Sequence, residues 1–492
     1  MKKLHSFISI SGFLLITYYY CNYFRSVEIN TIPTTSINNP TMCFTKKGPT
    51  VKEALLFDPY ECELPPSFIR KNVNSLTLSE VNALKAGITA MKALPVTDKT
   101  SWAFQANIHG TVPFISNPSW NACQHGTQFF LSWHRMYIYF FERILRSKSG
   151  NPNFALPYWN YQIAGQSSIP LIYRSPSVGN PLYHARNASM NSGATLPSAI
   201  STSITSSLSL TSYYPFQSAL EGPHGSVHVS VGGQMGNFAS ANDPLFWAHH
   251  ANIDRLWVAW LRKCGGRANP TNAPWLNQIY TFYDENGLPV NMTGSQIINT
   301  VSSLNYKYDF PFMLPCNFNW FDIKFIDLQL LRLPKPFVIN KRLSKLALKE
   351  SLEQEDLKNL KTSKFRFTND TSIISDQVFL ELVNYKITQV PEGVIEVYIN
   401  LPAGVKPNSK SNSFASVIDL FTAFGHSNSN NQRPLRIDIT EALRKLKLKP
   451  MDMKSIEISF RVRGNTLNGK EIETQSDLSA EGFNVVLSRM EK

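Results

Sequence analysis

Asp243-Pro-Leu-Phe-Trp-Ala-His249-His250-Ala-Asn-Ile-Asp254-Arg-Leu-Trp257 is the stretch on which the reading of this chain turns. Asp243-Pro244 has the form of a helix start, and Leu245, Phe246, Ile253, Leu256 and Trp257 recur at helical spacing. His249 and His250 then point about 100° apart around the axis, so only one of them faces a common site squarely. Spacing alone does not choose between them. Upstream, Glu221-Gly-Pro-His224-Gly-Ser-Val-His228 sets two histidines four apart, one above the other on a helix face, where they can chelate.

A second group lies earlier in the chain. Leu131-Ser-Trp-His134-Arg-Met-Tyr-Ile-Tyr-Phe-Phe-Glu142-Arg-Ile-Leu145 reads as an apolar helix with His134 near its start. His125 precedes it after a turn, and His109-Gly110 opens a loop with two prolines. Six of the ten histidines thus fall into two groups of three: His109, His125 and His134, then His224, His228 and His250. Imidazole is the ligand that copper, zinc and iron share, and three nitrogens per ion with no interleaved carboxylate leave coordination positions open. Copper is favoured over zinc because hydrolytic zinc sites need a carboxylate general base, which neither group supplies. Trp133, Trp247, Trp257 and neighbouring phenylalanines are candidates for an apolar shell that orients the rings. His5, His184 and His426 stand alone and read as ordinary histidines.

These segments resemble the type 3 copper proteins, that is tyrosinases, catechol oxidases or polyphenol oxidases, and molluscan haemocyanins. The residues that carry the likeness are the stretch 243–257, Ser132-Trp-His-Arg-Met-Tyr137, and His224-x-x-x-His228 with Val231-Gly-Gly-Gln-Met-Gly-Asn-Phe238. The resemblance implies two copper ions, the first bound by His109, His125 and His134 and the second by His224, His228 and His250. It selects His250 over His249. Cys123, two residues before His125, stands where fungal tyrosinases and molluscan haemocyanins form a thioether to that histidine; the plant position just after His109 is filled by Gly110, Thr111, Val112 and Pro113. Glu221 lies near the family glutamate that helps hold a water for phenol deprotonation, and Gly225 replaces its asparagine partner. Phe238 resembles the aromatic gate over the first copper in plant enzymes. The implied activity is oxidation of ortho-diphenols by dioxygen, the cosubstrate, to ortho-quinones, with only weak hydroxylation of monophenols because Gly225 has no side chain to orient water. The alternatives are a haemocyanin-like oxygen binder or a copper store without turnover.

At 492 residues, 43% hydrophobic and 12% aromatic, the chain is too long for one ordinary core. An α+β multidomain fold is expected: a mainly α-helical copper domain built on a four-helix bundle over 31–320, a linker with a short exposed helix over 321–364, and a small C-terminal β-sandwich over 365–492. Tyr306-Lys-Tyr308 resembles the Tyr-x-Tyr motif that closes the catalytic domain in plant polyphenol oxidases. Beyond the linker, Val394-Ile-Glu-Val-Tyr-Ile-Asn400 and Ile456-Glu-Ile-Ser-Phe-Arg-Val462 carry strand signals. With Phe414–Asp419 and Leu435–Leu443 they follow the order of the plant C-terminal domain, which shields the copper site and implies latency. Residues 1–30, with Lys2, Lys3 and an apolar run, read as a secretory signal or an uncleaved membrane anchor, giving a secreted or periplasmic protein. Cys43 and Cys62 resemble the disulfide cysteines ahead of the plant copper domain; Cys264 and Cys316 pair or remain free. The net charge of +13 comes without a nucleic-acid-binding motif, so small phenols and dioxygen, not nucleic acid, are the expected partners.

Overall fold

A helix does follow Asp243, and its start shows why. In the computed structural model the Asp243 side chain accepts from Leu245 N at 2.8 Å and Pro244 occupies the first helical position, where a missing N–H costs nothing. The helix runs Pro244–Leu261 and all but one of its residues are buried. Described are residues 67–263, 267–309, 324–333, 337–339, 344–347, 377–426 and 434–491, with Lys358 and Lys361. The readings of residues 1–30, of Cys43 and Cys62, and of Cys264 and Cys316 lie outside them.

The helices that build the site are α1 (Leu78–Lys92), α2 (Trp102–His109), α3 (Phe130–Ser149), α4 (Tyr213–Val231) and α5 (Pro244–Leu261). A capping box between Thr77 and Glu80 starts α1, and Ser101 caps α2 through Phe104 N at 3.1 Å. Gly150 at φ 70° ends α3 in the left-handed conformation that favours glycine. Helix α3 lies between α1 and α5, and one hydrophobic core runs through all five helices.

Buried charge locks the ends of this helical part together. Asp254 on α5 accepts from Arg135 Nε (2.5 Å), Arg70 Nη1 (3.2 Å), Tyr306 OH (2.6 Å) and Tyr308 OH (2.5 Å). Strand Phe68–Arg70 pairs in parallel with Tyr306–Tyr308, so the Tyr-x-Tyr segment closes on the first described strand.

The C-terminal part is a sandwich of two four-stranded sheets. One has the order 414–417, 393–399, 457–464, 344–347; the other 435–438, 377–383, 482–491, 324–333. Alternation places Val378, Leu380 and Leu382 from one sheet and Ile395, Val397 and Ile399 from the other in a shared core, and Phe460 stacks on Phe483 between sheets. The α+β reading is thus borne out. The linker reading of 321–364 needs correction: Lys324–Leu333 pairs along Gly482–Glu491 and Ser344–Ala347 pairs with Glu457–Phe460, so sandwich strands begin inside that span. Among the described residues no helix is long and apolar enough to cross a membrane.

Candidate metal centre

The six histidines arrive from four helices and one loop. Helix α2 ends on His109, whose Nδ1 is held by Phe238 O at 2.9 Å. Gly110 allows that approach, since a Cβ there would meet Phe238 O at 2.6 Å. His125 sits in the loop before α3, and His134 in the first turns of α3, where its Nδ1 meets Phe130 O at 2.8 Å. His224 and His228 project from α4, with His228 Nδ1 at 2.8 Å from Met235 O; His250 projects from α5. A carbonyl on Nδ1 keeps the proton there and leaves the Nε2 lone pair available.

The Nε2 atoms of five of the six rings approach one another in pairs. His109 Nε2 lies 3.4 Å from His125 Nε2, while His250 Nε2 lies 3.4 Å from His224 Nε2 and 3.3 Å from His228 Nε2. Two nitrogens each about 2.0–2.1 Å from one metal ion at a near-tetrahedral angle are roughly 3.3 Å apart. The two triads face each other: His134 stacks on His250 at 4.4 Å and His125 on His224 at 5.3 Å between ring centroids. All six rings are buried. Burial lowers the pKa of His109 to about 4, and pushes His134, His224, His228 and His250 well below the ordinary histidine value. Neutral imidazoles at physiological pH are what a metal needs. The all-imidazole donor set therefore fits two copper ions.

The other expected residues surround this cluster. Glu221 Oε1 accepts from Gly126 N at 2.5 Å and lies 3.5 Å from His125 Nδ1, so the carboxylate faces the back of a candidate ligand. Cys123 Sγ lies within 4.8 Å of ring nitrogens of both His109 and His125. The Phe238 ring is 6.4 Å from that of His125. His249 is buried beside the second triad, stacked 5.2 Å from His224, with both ring nitrogens lacking hydrogen-bond partners. Of the three tryptophans expected in the shell, Trp133 meets His134 at 4.8 Å, whereas Trp247 packs on Phe141 and Trp257 lies under the Arg135 guanidinium. Phe130 and Phe246 make much of the inner shell, at 4.8 Å from His224 and 4.1 Å from His250.

One residue was not anticipated. Phe421, from helix α6 (Leu420–His426) of the sandwich, sets its ring 4.4 Å from His228, 5.2 Å from His125 and 5.5 Å from Phe238. The available signal was Asp419 ahead of Leu420-Phe421, a helix cap followed by an aromatic, but nothing local says where that turn docks.

Residues 99–194 and 172–263 match the common central domain of tyrosinase, and residues 269–324 match the polyphenol oxidase middle domain. Over these residues the chain is similar to the tyrosinase and polyphenol oxidase family. Its cofactor is accordingly a pair of copper ions. Among curated relatives, a tyrosinase of Hahella sp. (strain CCB-MM4) is 31% identical over 293 residues, 49% of this chain and 62% of that protein. The latent form of polyphenol oxidase from Prunus armeniaca is 34% identical over 281 residues, 47% of this chain and 46% of that one, and carries a chloroplastic name. The chain thus aligns with about half the length of its plant relatives. Latent apple tyrosinase shares the fold with a TM-score of 0.60 at 20% identity, covering 86% of this chain and 97% of its own.

Proposed function

We propose that the protein oxidises ortho-diphenols to ortho-quinones with dioxygen, at two copper ions held by His109, His125 and His134 and by His224, His228 and His250. The observation that carries this reading is the pair of facing histidine groups, in which the Nε2 pairs His109–His125, His224–His250 and His228–His250 approach to 3.3–3.4 Å inside a buried aromatic shell. Bound copper supplies the dioxygen and electron-transfer chemistry. The chain's own residues bury the imidazoles, fix three of them through backbone carbonyls, and exclude water with Phe130, Trp133 and Phe246. Glu221 is a positioning residue that holds the His125 ring from behind. Each diphenol gives up two electrons and two protons, so two turnovers reduce one O2 to two waters.

Monophenol hydroxylation is the weaker activity in this proposal, because Gly225 offers no side chain to hold a deprotonating water beside His224. Phe238 narrows the entrance as a gate, and Cys123 tethers His125 through a thioether. Phe421 covers the site from the sandwich domain, which makes the enzyme latent until that domain is displaced. An exported, extracytoplasmic setting goes with the reading of residues 1–30. The alternative of a closed copper store draws on the same Phe421 contact.

Copper quantification together with turnover of paired mono- and diphenols, before and after limited proteolysis, tests metal, reaction and latency. The expected result is two coppers per chain, catechol oxidation that rises on proteolysis, and slow, lagging monophenol turnover. Two bound coppers with no catechol oxidation in either state overturns the oxidase in favour of the store. Monophenol rates equal to catechol rates, without a lag, overturn the assignment of Gly225.

A further inference from the structure

The segment that delivers Phe421 runs along α4 in close register. Val417 O lies 3.0 Å from where a Cβ on Gly222 would be, and Ser226 Oγ donates to Ile418 O at 3.1 Å. Next in line, an ideal Cβ on Gly225 would stand 1.9 Å from Asp419 Oδ1, 2.8 Å from its Cγ and 3.1 Å from Phe421 Cβ. The Asp419 carboxylate therefore fills the space that any side chain at 225 would occupy. It has little freedom to leave: it is buried, and Oδ1 accepts from Thr422 N at 3.1 Å, the bond that caps α6. Moving it away uncaps the helix that holds Phe421.

We infer that Gly225 is the seat of Asp419, so that the residue beside the first histidine of α4 sets how firmly the sandwich domain closes the site. This rests on the reading of that domain as a shield. Gly225 thus has a role apart from substrate choice: its lack of a side chain is a steric requirement of the closed state. A larger residue at 225 forces Asp419, the α6 cap and Phe421 outward together and opens the site in the intact chain.

The test uses the full-length, copper-loaded chain and compares catechol oxidation before and after limited proteolysis, so that each variant is its own reference for turnover. Gly225→Ala is expected to shift the closed-to-open balance by roughly 5- to 150-fold, the range of an overpacked methyl, and so to raise untreated activity toward the treated level. The same substitution in an Asp419→Ala background is expected to have a much smaller effect, because the group it collides with is gone. Copper content and treated activity report that each variant is folded. If Gly225→Ala is as latent as the parent, or if it raises activity equally with and without the Asp419 carboxylate, the seat is wrong. Phe421→Ala separates this from the shield itself: should proteolysis and Phe421→Ala both leave catechol oxidation unchanged, the shielding reading fails rather than the seat.

Discussion

Which of two adjacent histidines serves a metal depends on where its ring nitrogens point, a question that spacing alone does not answer. His250 turns its Nε2 to within 3.4 Å of the Nε2 atoms of His224 and His228, whereas His249 packs flat on His224 with a ring nitrogen only within 4.8 Å of the other three. His250→Ala is therefore expected to bring the copper content down from two to about one per chain and to abolish catechol oxidation, since one ligand of three is lost. His249→Ala is expected to keep both coppers and lose stability by on the order of 2–4 kcal/mol through the cavity it leaves. Atomic absorption on the two purified variants decides; equal loss from both would return the choice to open. Five of the six proposed ligands are read from spacing alone and the sixth, His250, only through resemblance, because two adjacent residues on a helix share periodicity. Phe421 and Asp419 were not legible as site residues, since a contact between α4 and a turn almost two hundred residues later leaves no local pattern.

At the scale of elements, α5 must be fixed in rotation for His250 to reach its triad, and charge does this at its start and in its middle. Asp243 pairs with Arg186 through two bonds of 2.7 Å, with both side chains fully buried, and Asp254 gathers Arg70, Arg135, Tyr306 and Tyr308. Asp243→Asn keeps a capping oxygen for Leu245 N but removes the charge, leaving Arg186 buried without its partner. Breaking a buried pair from one side costs about 3–5 kcal/mol. Urea unfolding is expected to show a loss of that size together with weaker copper retention; a change under about 1 kcal/mol would mean that the pair is not what fixes the helix. The Asp-Pro start and the apolar periodicity made α5 legible from sequence, whereas Arg186 is not adjacent in any pattern. Strand Lys324–Leu333 was missed for a related reason: its partner, Gly482–Glu491, lies at the far end of the chain, and a lysine- and leucine-rich surrounding reads as linker when that pairing is unknown.

The whole molecule pays for its site in acid. Among the buried imidazoles, His109 has its pKa lowered from 6.5 to about 4 and His249 to about 3, both by burial, and four more are lowered well below 6.5. In the unfolded chain these groups take up protons as pH falls through about 6.5; in the folded chain they do not until far lower. Folding stability is then fully present above pH 6.5 and drains away as pH falls toward 4, because the unfolded state binds more protons across that window. Copper adds to the slope, since ligation also requires unprotonated nitrogen and binds only the folded state. The expected outcome is a thermal midpoint for the metal-free protein that drops between pH 7 and pH 5, with net proton uptake on unfolding measured by calorimetry in buffers of different ionisation enthalpy, and a larger drop for the copper-loaded protein. A midpoint independent of pH over that range, or unfolding without proton uptake, would mean that these buried rings, five of them proposed copper ligands, are not held neutral together, and the physical basis for a two-copper centre in this fold would be gone.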